Sequence, residues 1–510
     1  MAPPRRFAVP DGTSTEDLVA ALRQALPVVA ERPVSRRRTF YDTFDWRVHG
    51  AGGVLEVEED GTGARLVWRT AEGDERATAP APPGLRLAGD LPDGPVRDAL
   101  GPVLDVRALL PVAKVRTTTT VLRVLDDDEK TVARIAVDRD VAGREPIGHR
   151  VRLVPIRGYD RPLERVARAL VDDLGLEPAG DDVLRAALAA AGRRPGDYSS
   201  KVRVPLDPAT PAVAGATAVL TALLDVVEAN EEGTRGDVDP EFLHDLRVAV
   251  RRTRTAVRAF RGVLPDAVLA TAADGFRWAQ QVTGPVRDLD VHLVDLAAAA
   301  ARLPEDAAAD LAPLVAHLRD RREAARRDLT RVLRSRRWRE LTGWWRGVLA
   351  DPAAAGPLGP EAGAPIGALA VDRVHRADRR VRRLGRAIDD SSPAESLHDL
   401  RKRGKELRYL LELLGPALPG DPGPAVADLK VLQDNLGRFQ DFQVQEEWLR
   451  GAGDDLMRVR VGAGTVMAIG MLVQDLRRRS ERARAEFATV FAAFDAPAAR
   501  RRADRLLRAG

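Results

Sequence analysis

The sequence predicts a chain of two unlike domains: an α+β domain built on an antiparallel β tunnel or barrel, followed by an all-α domain of helical bundles. Three observations predict it. The first 195 residues hold β-rich runs in pairs, each pair flanking a short turn signal. Gly192, Pro195, Gly196, Pro205, Pro208 and Pro211 then interrupt any regular element. From residue 212 onward apolar positions recur at helical spacing almost throughout, and one stretch occurs twice. The expected domains are residues 1–195 and 213–510, joined by 196–212. A Pro/Gly/Ala-rich break at 352–365 divides the second into halves of about 213–351 and 366–510.

In the first domain, residues 39–43 read as a strand entering a turn. Residues 53–58 and 64–69 flank Asp60-Gly61-Thr62-Gly63, a hairpin signal. Residues 116–124 and 131–137 flank an acidic turn at 126–130, and the four threonines Thr117 to Thr120 favour strand over helix. Residues 150–154 form a further strand, and 16–26 and 163–174 have helical periodicity. Hairpins with outlying helices point to a closed or strongly curved sheet.

In the second domain, helices are expected at 216–231, 267–282, 288–303, 307–334, 366–389, 425–436, 466–494 and 498–509, besides the two repeat helices. The first repeat helix opens His244-Asp245-Leu246-Arg247 and continues through Arg251 and Arg254. The second opens His398-Asp399-Leu400-Arg401 and continues through Lys405 and Arg408. Residues three, seven and ten positions apart share a helix face, so each helix devotes one stripe to cations with a histidine at its start. The repeat extends to Gly284-Pro285-Val286-Arg287-Asp288 and Gly437-Arg438-Phe439-Gln440-Asp441, and upstream Arg277 corresponds to Lys430. A duplicated unit of this length suggests two similar bundles facing each other.

Formal net charge is only +4, but residues 242–261 hold six arginines and one acid, Asp245. A solvated, ion-paired helix face would alternate acids with bases; copy one has no acid between Arg247 and Arg261. Gathering like charges costs stability, and a polyanion removes that cost. The absence of cysteine excludes disulfides, thiolate metal sites and thiol nucleophiles, and fits a reducing cytoplasm. The N-terminus does not read as a secretory signal, and the longest weakly polar run, 461–473, is too short to span a bilayer. No membrane partner is therefore expected. Neither repeat histidine lies in a zinc-ligand spacing or beside a nucleophile, so no catalytic residue is assigned.

The doubled HDLR helix, each copy followed by a G-x-x-[RQ]-D motif, resembles the CHAD family, the conserved-histidine α-helical domain, over roughly 213–510. The resemblance implies two four-helix bundles related by a pseudo-twofold axis, with a basic central groove that binds inorganic polyphosphate. The candidate ligand-binding residues are His244, Arg247, Arg251, Arg254, Arg277, Arg287, His398, Arg401, Lys402, Lys405, Arg408 and Lys430. Asp288 and Asp441 match across the repeat and are expected to hold basic side chains in place. Polyphosphate granules are a possible setting. Nucleic acid is disfavoured because the stripes carry few stacking aromatics in a chain only 4% aromatic.

The Tyr41-Asp42-Thr43 turn, the hairpins and the order of elements resemble the CYTH family, whose eight-stranded tunnel cleaves triphosphate compounds with Mg²⁺ or Mn²⁺. That family's first strand carries E-x-E-x-K; here it reads Pro4-Arg5-Arg6-Phe7-Ala8-Val9, without an acid. Arg152 and Val154 stand where late-strand glutamates would be. Arginine cannot replace carboxylate as a ligand for a hard cation. The domain is therefore expected to have lost its metal site, with Arg69, Lys114, Arg116 and Arg134 lining a basic interior and no cofactor. Asp138 and Asp140 on one strand make a thin metal site, and a metal-dependent triphosphatase is the alternative.

Overall fold

The computed structural model describes residues 5–10, 12–180, 183–458 and 461–508, Arg5 by its backbone alone. The chain divides into two compact units, 1–199 and 200–510.

The first unit is an antiparallel sheet of ten strands: β1 (Arg5–Ala8), β2 (Val28–Ala30), β3 (Val34–Thr43), β4 (Gly53–Asp60), β5 (Gly63–Thr70), β6 (Glu75–Pro80), β7 (Leu109–Leu125), β8 (Thr131–Ala142), β9 (Glu145–Pro155) and β10 (Glu177–Pro178). The spatial order is β10-β1-β9-β8-β7-β3-β4-β5-β6, with β2 also on β7. Helices α1 (Thr15–Ala25), α2 (Arg47–Gly50), α3 (Pro95–Leu104), α4 (Asp160–Asp172) and α5 (Val183–Ala190) accompany it. Both hairpins expected from turn chemistry are present, as β4–β5 and β7–β8. β1 falls within the first strand read at residues 4–9, whereas sequence reading missed β2, β6 and β10. β6 is an edge strand with mostly exposed side chains, so it lacks the apolar alternation that marks a half-buried strand.

Alternation separates the two faces of the sheet. One face is apolar. Ile135, Val137, Val151 and Leu153 pack under Leu18 and Leu22 of α1 and Leu163, Val166 and Leu170 of α4. Farther along, Leu55, Val57 and Leu66 pack under Val96, Leu100 and Leu104 of α3. The other face is charged, and it is the inner one. Arg6 on β1 donates from Nη2 to the Gly73 carbonyl at 2.8 Å, in the turn between β5 and β6. These strands lie at opposite ends of the spatial order, so the sheet curls until its ends meet. Phe40 and Val115, at one end of the inner face, pack against Leu184, Ala187 and Leu188 of α5, which closes that end.

The second unit is all helical: α6 (Ala212–Arg235), α7 (Pro240–Ala259), α8 (Asp266–Val282), α9 (Gly284–Ala300), α10 (Glu305–Ala309), α11 (Ala312–Leu333), α12 (Arg336–Ala350), α13 (Ile366–Arg386), α14 (Ala394–Leu414), α15 (Gly423–Arg458), α16 (Ala463–Phe494) and α17 (Pro497–Leu506). The repeat helices are α7 and α14. The expected short helix at 425–436 is instead the start of α15, which runs 36 residues through the second Gly-x-x-Gln-Asp motif. Copy one breaks into α8 and α9 because Pro285 sits in the first turn of α9 and cannot continue a helix from before; copy two has Arg438 there.

Nor do the cores follow the sequence halves. One joins α6, α7, α8 and α12 to α13, α14 and α15. The other joins Leu296, Leu314 and Leu318 of the first half to Leu449, Leu456, Ile469 and Leu472 of the second. Among the described residues helix α6, rather than 461–473, is the one helix long and apolar enough to cross a membrane; its Val219, Leu220, Leu223 and Leu224 are buried in the first core.

Close approach requires glycine at several positions, Gly233 and Gly385 among them. A Cβ on Gly233 would lie 2.2 Å from the Phe242 ring, and one on Gly385 would lie 1.9 Å from the Phe491 ring. Overpacking of this kind costs about 1–3 kcal/mol, which outweighs the gain of up to about 1 kcal/mol from replacing a helical glycine by alanine. Gly385→Ala is therefore expected to lower Tm. Gly347→Ala, in open space on α12, should raise it. Thermal melts of the two variants check both signs.

Candidate functional site

Asp239 starts α7 by accepting backbone hydrogen bonds from Glu241 (2.9 Å) and Phe242 (3.3 Å), with Pro240 in the first turn. On this helix Arg251 faces α14, while Arg247 turns to the junction of α8 and α9. The two helices meet directly. Arg251 donates from Nε to the Tyr409 hydroxyl at 2.7 Å, and Arg252 donates to Glu412 at 2.5 Å. Arg251, Arg252 and Arg408 lie 5.8, 5.6 and 5.7 Å from the Tyr409 ring centroid, within cation–π range.

The seam thus brings together Arg247, Arg251, Arg401, Lys405 and Arg408, with Arg287 near Arg247. Arg247 donates to the Gln280 carbonyl (3.0 Å) and to the Thr283 hydroxyl (3.1 Å). The aspartates matched across the repeat flank it: Asp288 is 4.0 Å from Arg247, and Asp441 is 3.2 Å from Arg401. Both are largely exposed, at 68% and 60%, so they orient the guanidiniums without fully neutralising them. Arg408 is 3.3 Å from Glu412.

Lys405 has no ion-pair partner among the described residues. Burial first, then Arg401, Arg251 and Arg408, hold its ammonium down to about 7, with Asp441 opposing. Burial, helped by Arg251 and Arg287 and opposed by Asp288, likewise pulls Arg247 below its ordinary value. The seam is a half-buried excess of positive charge.

The other candidates lie elsewhere. Arg254 neighbours Arg258 and Arg277. Arg277 and Lys402 are exposed and pair along their own helices with Asp274 (2.8 Å) and Asp399 (3.4 Å). Lys430 is exposed. Arg287 lies 3.5 Å from Glu241. His244 is partly buried on α7. His398 bonds through Nδ1 to the Gln440 side chain and faces a cleft lined by Glu395, Glu446, Glu447 and Arg450, a lining ill suited to a polyanion. Sequence reading missed Tyr409 and Glu412, the residues that join the two stripes. Tyr409 has no aromatic counterpart in copy one, where Thr255 stands, so the repeat gave no signal for it.

In the first unit, Arg69 lies on the inner face, 2.7 Å from Glu56 and 2.8 Å from Glu58. Lys114, Arg116 and Arg134 are exposed; Lys114 and Arg116 alternate with Val115 and Thr117 and so leave the inner face. The inner face carries four buried acids, each occupied by arginine. Glu56 accepts from Arg38 at 2.6 and 3.1 Å, and Glu58 from Arg65 at 3.0 and 2.7 Å. Asp138 accepts from Arg152 at 2.5 Å and Thr119 at 2.6 Å, and Asp140 from Arg150 at 2.9 Å and Thr117 at 2.6 Å. Burial pushes the Asp138 carboxyl up, but Arg152, Thr119 and Arg150 together outweigh it and hold the group below its ordinary value. Mg²⁺ or Mn²⁺ would need these oxygens free. They are committed to guanidiniums, and among the described residues no group of three His, Cys, Asp or Glu is placed to hold a metal ion. The residues present do not fit the metal. Period-two pairs (Arg36/Arg38, Glu56/Glu58, Asp138/Asp140, Arg150/Arg152) were the sequence signal for this lattice.

The second unit is a doubled helical domain with a cationic seam. The family model of the CHAD domain matches residues 218–450, and this region is a CHAD domain. An uncharacterised protein of Mycobacterium tuberculosis, known from strains CDC 1551 / Oshkosh and ATCC 25618 / H37Rv, is 27% identical over 292 residues, 56% of this chain and 53% of that protein. The chain thus spans about half the length of the curated relatives it matches. Similar solved structures include the CHAD domain from the plant Ricinus communis, at 23% identity, covering 58% of this chain and 96% of that one with a TM-score of 0.49. PptA from Streptomyces chartreusis is 21% identical, covering 55% and 99% with a TM-score of 0.46. HpAC1 from Hippeastrum, described with a dominant triphosphatase activity, is 11% identical, covering 38% and 99% with a TM-score of 0.28.

The placement of Lys405 makes a stability prediction. Its folded pKa lies below its unfolded value, so the charged form opposes folding. That cost is full below about pH 7, shrinks as pH rises, and vanishes above the unfolded pKa of about 10.4. Lys405→Met should raise Tm by roughly 2–5 °C at pH 6 and by much less at pH 9.5. Melts at both pH values check it; an unchanged or lowered Tm at pH 6 contradicts it.

Proposed function

We propose that the helical unit binds inorganic polyphosphate in the seam between α7 and α14, in the cytoplasm and without hydrolysing it. The observation that carries this reading is the half-buried, partly unpaired cluster of Arg247, Arg251, Arg401, Lys405 and Arg408, with Lys405 lacking a counter-ion among the described residues. Arginine forks match phosphate oxygens two at a time, and identical phosphates need only charge and shape to be recognised. A bound polyanion would supply the missing counter-charge and release its own condensed ions. The first unit would take no metal-dependent part, since its inner acids are held by arginines.

The experiment is a polyphosphate titration of the full chain at several salt concentrations. Wild type is expected to bind with a steep salt dependence. An Arg251→Glu, Lys405→Glu double variant should weaken binding by about 100-fold or more near 0.15 M salt. Arg331→Glu, at an exposed arginine paired with Asp328 along its own helix, should change it little. Equal loss in both variants would point to net charge rather than the seam, and full retention in the double variant would reject the site. RNA of equal charge, used as competitor, should displace polyphosphate poorly.

A further inference from the structure

Helix α13 carries charge that the seam does not use. Six of its arginines, Arg376, Arg379, Arg380, Arg382, Arg383 and Arg386, line one open hollow. A second hollow shares Arg376 and Arg380 and reaches Arg258 of α7 and Arg403 of α14, with Glu406 its single acid.

Ion pairs divide the six. Arg376 pairs with Asp372 at 2.7 Å, Arg382 with Asp378 at 2.8 Å, and Arg386 with Asp495 at 2.7 Å. Arg379, Arg380 and Arg383 are exposed and have no ion pair among the described residues. Several exposed arginines elsewhere take an acid of their own helix, as Arg331 takes Asp328, Arg336 takes Glu340 and Arg458 takes Asp455. A helix face built only for water is laced in that way. On α13 no acid follows Asp378. Nor does the duplicated fold impose the patch. In the register that aligns His244 with His398, Arg379, Arg380 and Arg383 stand where α6 has Asp225, Val226 and Ala229. There Val226 is buried, and Asp225 accepts from Arg346 of α12 at 2.7 Å.

The surroundings of the patch define the chemistry of its partner. Among the described residues no large apolar side chain of α13 is exposed, and the helix holds no Phe, Tyr or Trp. A protein partner would be anchored by apolar and aromatic groups. An anionic membrane would take inserted apolar side chains, and a single nucleic-acid strand would stack on aromatics. A duplex backbone needs none of these, because guanidiniums meet its phosphates by charge and paired hydrogen bonds. The stretch from Arg376 to Arg383 spans about 10 Å of helix axis, against about 3.4 Å per phosphate along one strand of a duplex.

We infer that the exposed face of α13 binds the phosphate backbone of double-stranded nucleic acid, without regard to sequence, through Arg379, Arg380 and Arg383. Phosphate contacts position a protein on a duplex and carry no sequence information. The patch shares no residue with the seam cluster, so polyphosphate and duplex have separate sites.

The test uses the full chain carrying Arg251→Glu and Lys405→Glu, which removes two seam cations. Fluorescence anisotropy follows labelled duplex DNA and duplex RNA, each in two unrelated sequences. At least one kind of duplex is expected to bind, alike for both sequences, and to weaken about tenfold or more between about 50 and 200 mM salt. Adding Arg379→Gln, Arg380→Gln and Arg383→Gln should weaken binding at least tenfold and lower the salt slope by about 2–3. The same change at Arg327, Arg331 and Arg336, exposed on α11 and α12, should leave affinity within about twofold. Because the three α13 arginines are exposed and unpaired, their loss should move Tm by no more than about 2 °C, which separates lost binding from lost folding. The inference is overturned if neither duplex binds, if the control triple variant loses as much, or if polyglutamate displaces the duplex as well as unlabelled duplex of equal charge does. The last result would mark a surface for an acidic polypeptide. Polyphosphate titration of the α13 triple variant with an intact seam reads the other site, so each reading can fail alone.

Discussion

Repulsion between cations that two copies of one helix bring face to face is the constraint on which the helical unit depends. Arg251 and Lys405 occupy equivalent places in the repeat, so packing α7 against α14 places like charges together. Three devices make this tolerable. Tyr409 offers a hydroxyl and a π face to arginines from both helices. Glu412 takes Arg252 across the interface. Asp288 and Asp441 attend the ends of the cluster from exposed positions. The apolar cores, shared by both halves, hold the helices in contact despite the repulsion that remains. An unfilled requirement for negative charge is the physical sense in which the seam is a binding site.

The N-terminal unit meets the same problem with a different answer. Its inner face is richer in arginine than the seam, but four carboxylates from β4 and β8 are built in beside the guanidiniums of β3, β5 and β9. The result is a lattice that is largely satisfied internally, apart from the buried Nε atoms of Arg6 and Arg36. The same pairing that stabilises the lattice removes the oxygen ligands that a hard metal ion would need. The arrangement that fixes the arginines of the inner face is therefore the same one that leaves its carboxylates unfit to hold a hard metal ion.

Much of this was legible from residue patterns. The repeat exposed α7 and α14 and matched Asp288 with Asp441; which bases they attend, Arg247 at 4.0 Å and Arg401 at 3.2 Å, came only from the structure. Turn chemistry found β4–β5 and β7–β8. What escaped has physical reasons. The continuity of α15 hinged on one missing proline, which a motif match across the repeat conceals. β6 is an exposed edge, and β10 has two residues, so neither needs an apolar pattern. Lys114, Arg116 and Arg134 were chosen for charge alone; strand parity selects Arg36, Arg38, Arg150 and Arg152 for the inner face, turns Lys114 and Arg116 away from it, and leaves Arg134 on that face at an exposed position. Tyr409 lay outside the repeat pattern because it breaks the symmetry.

The most direct measurement is proton uptake on binding. Lys405 is about half protonated near pH 7 in the free protein, and an anion in the seam must raise its pKa. Calorimetry of polyphosphate binding at pH 7.5, in buffers of different ionisation enthalpy, should show uptake of a fraction of a proton. That uptake should vanish in Lys405→Met. Binding with no proton uptake, or with uptake unchanged in Lys405→Met, would place the ligand away from the seam and contradict the account.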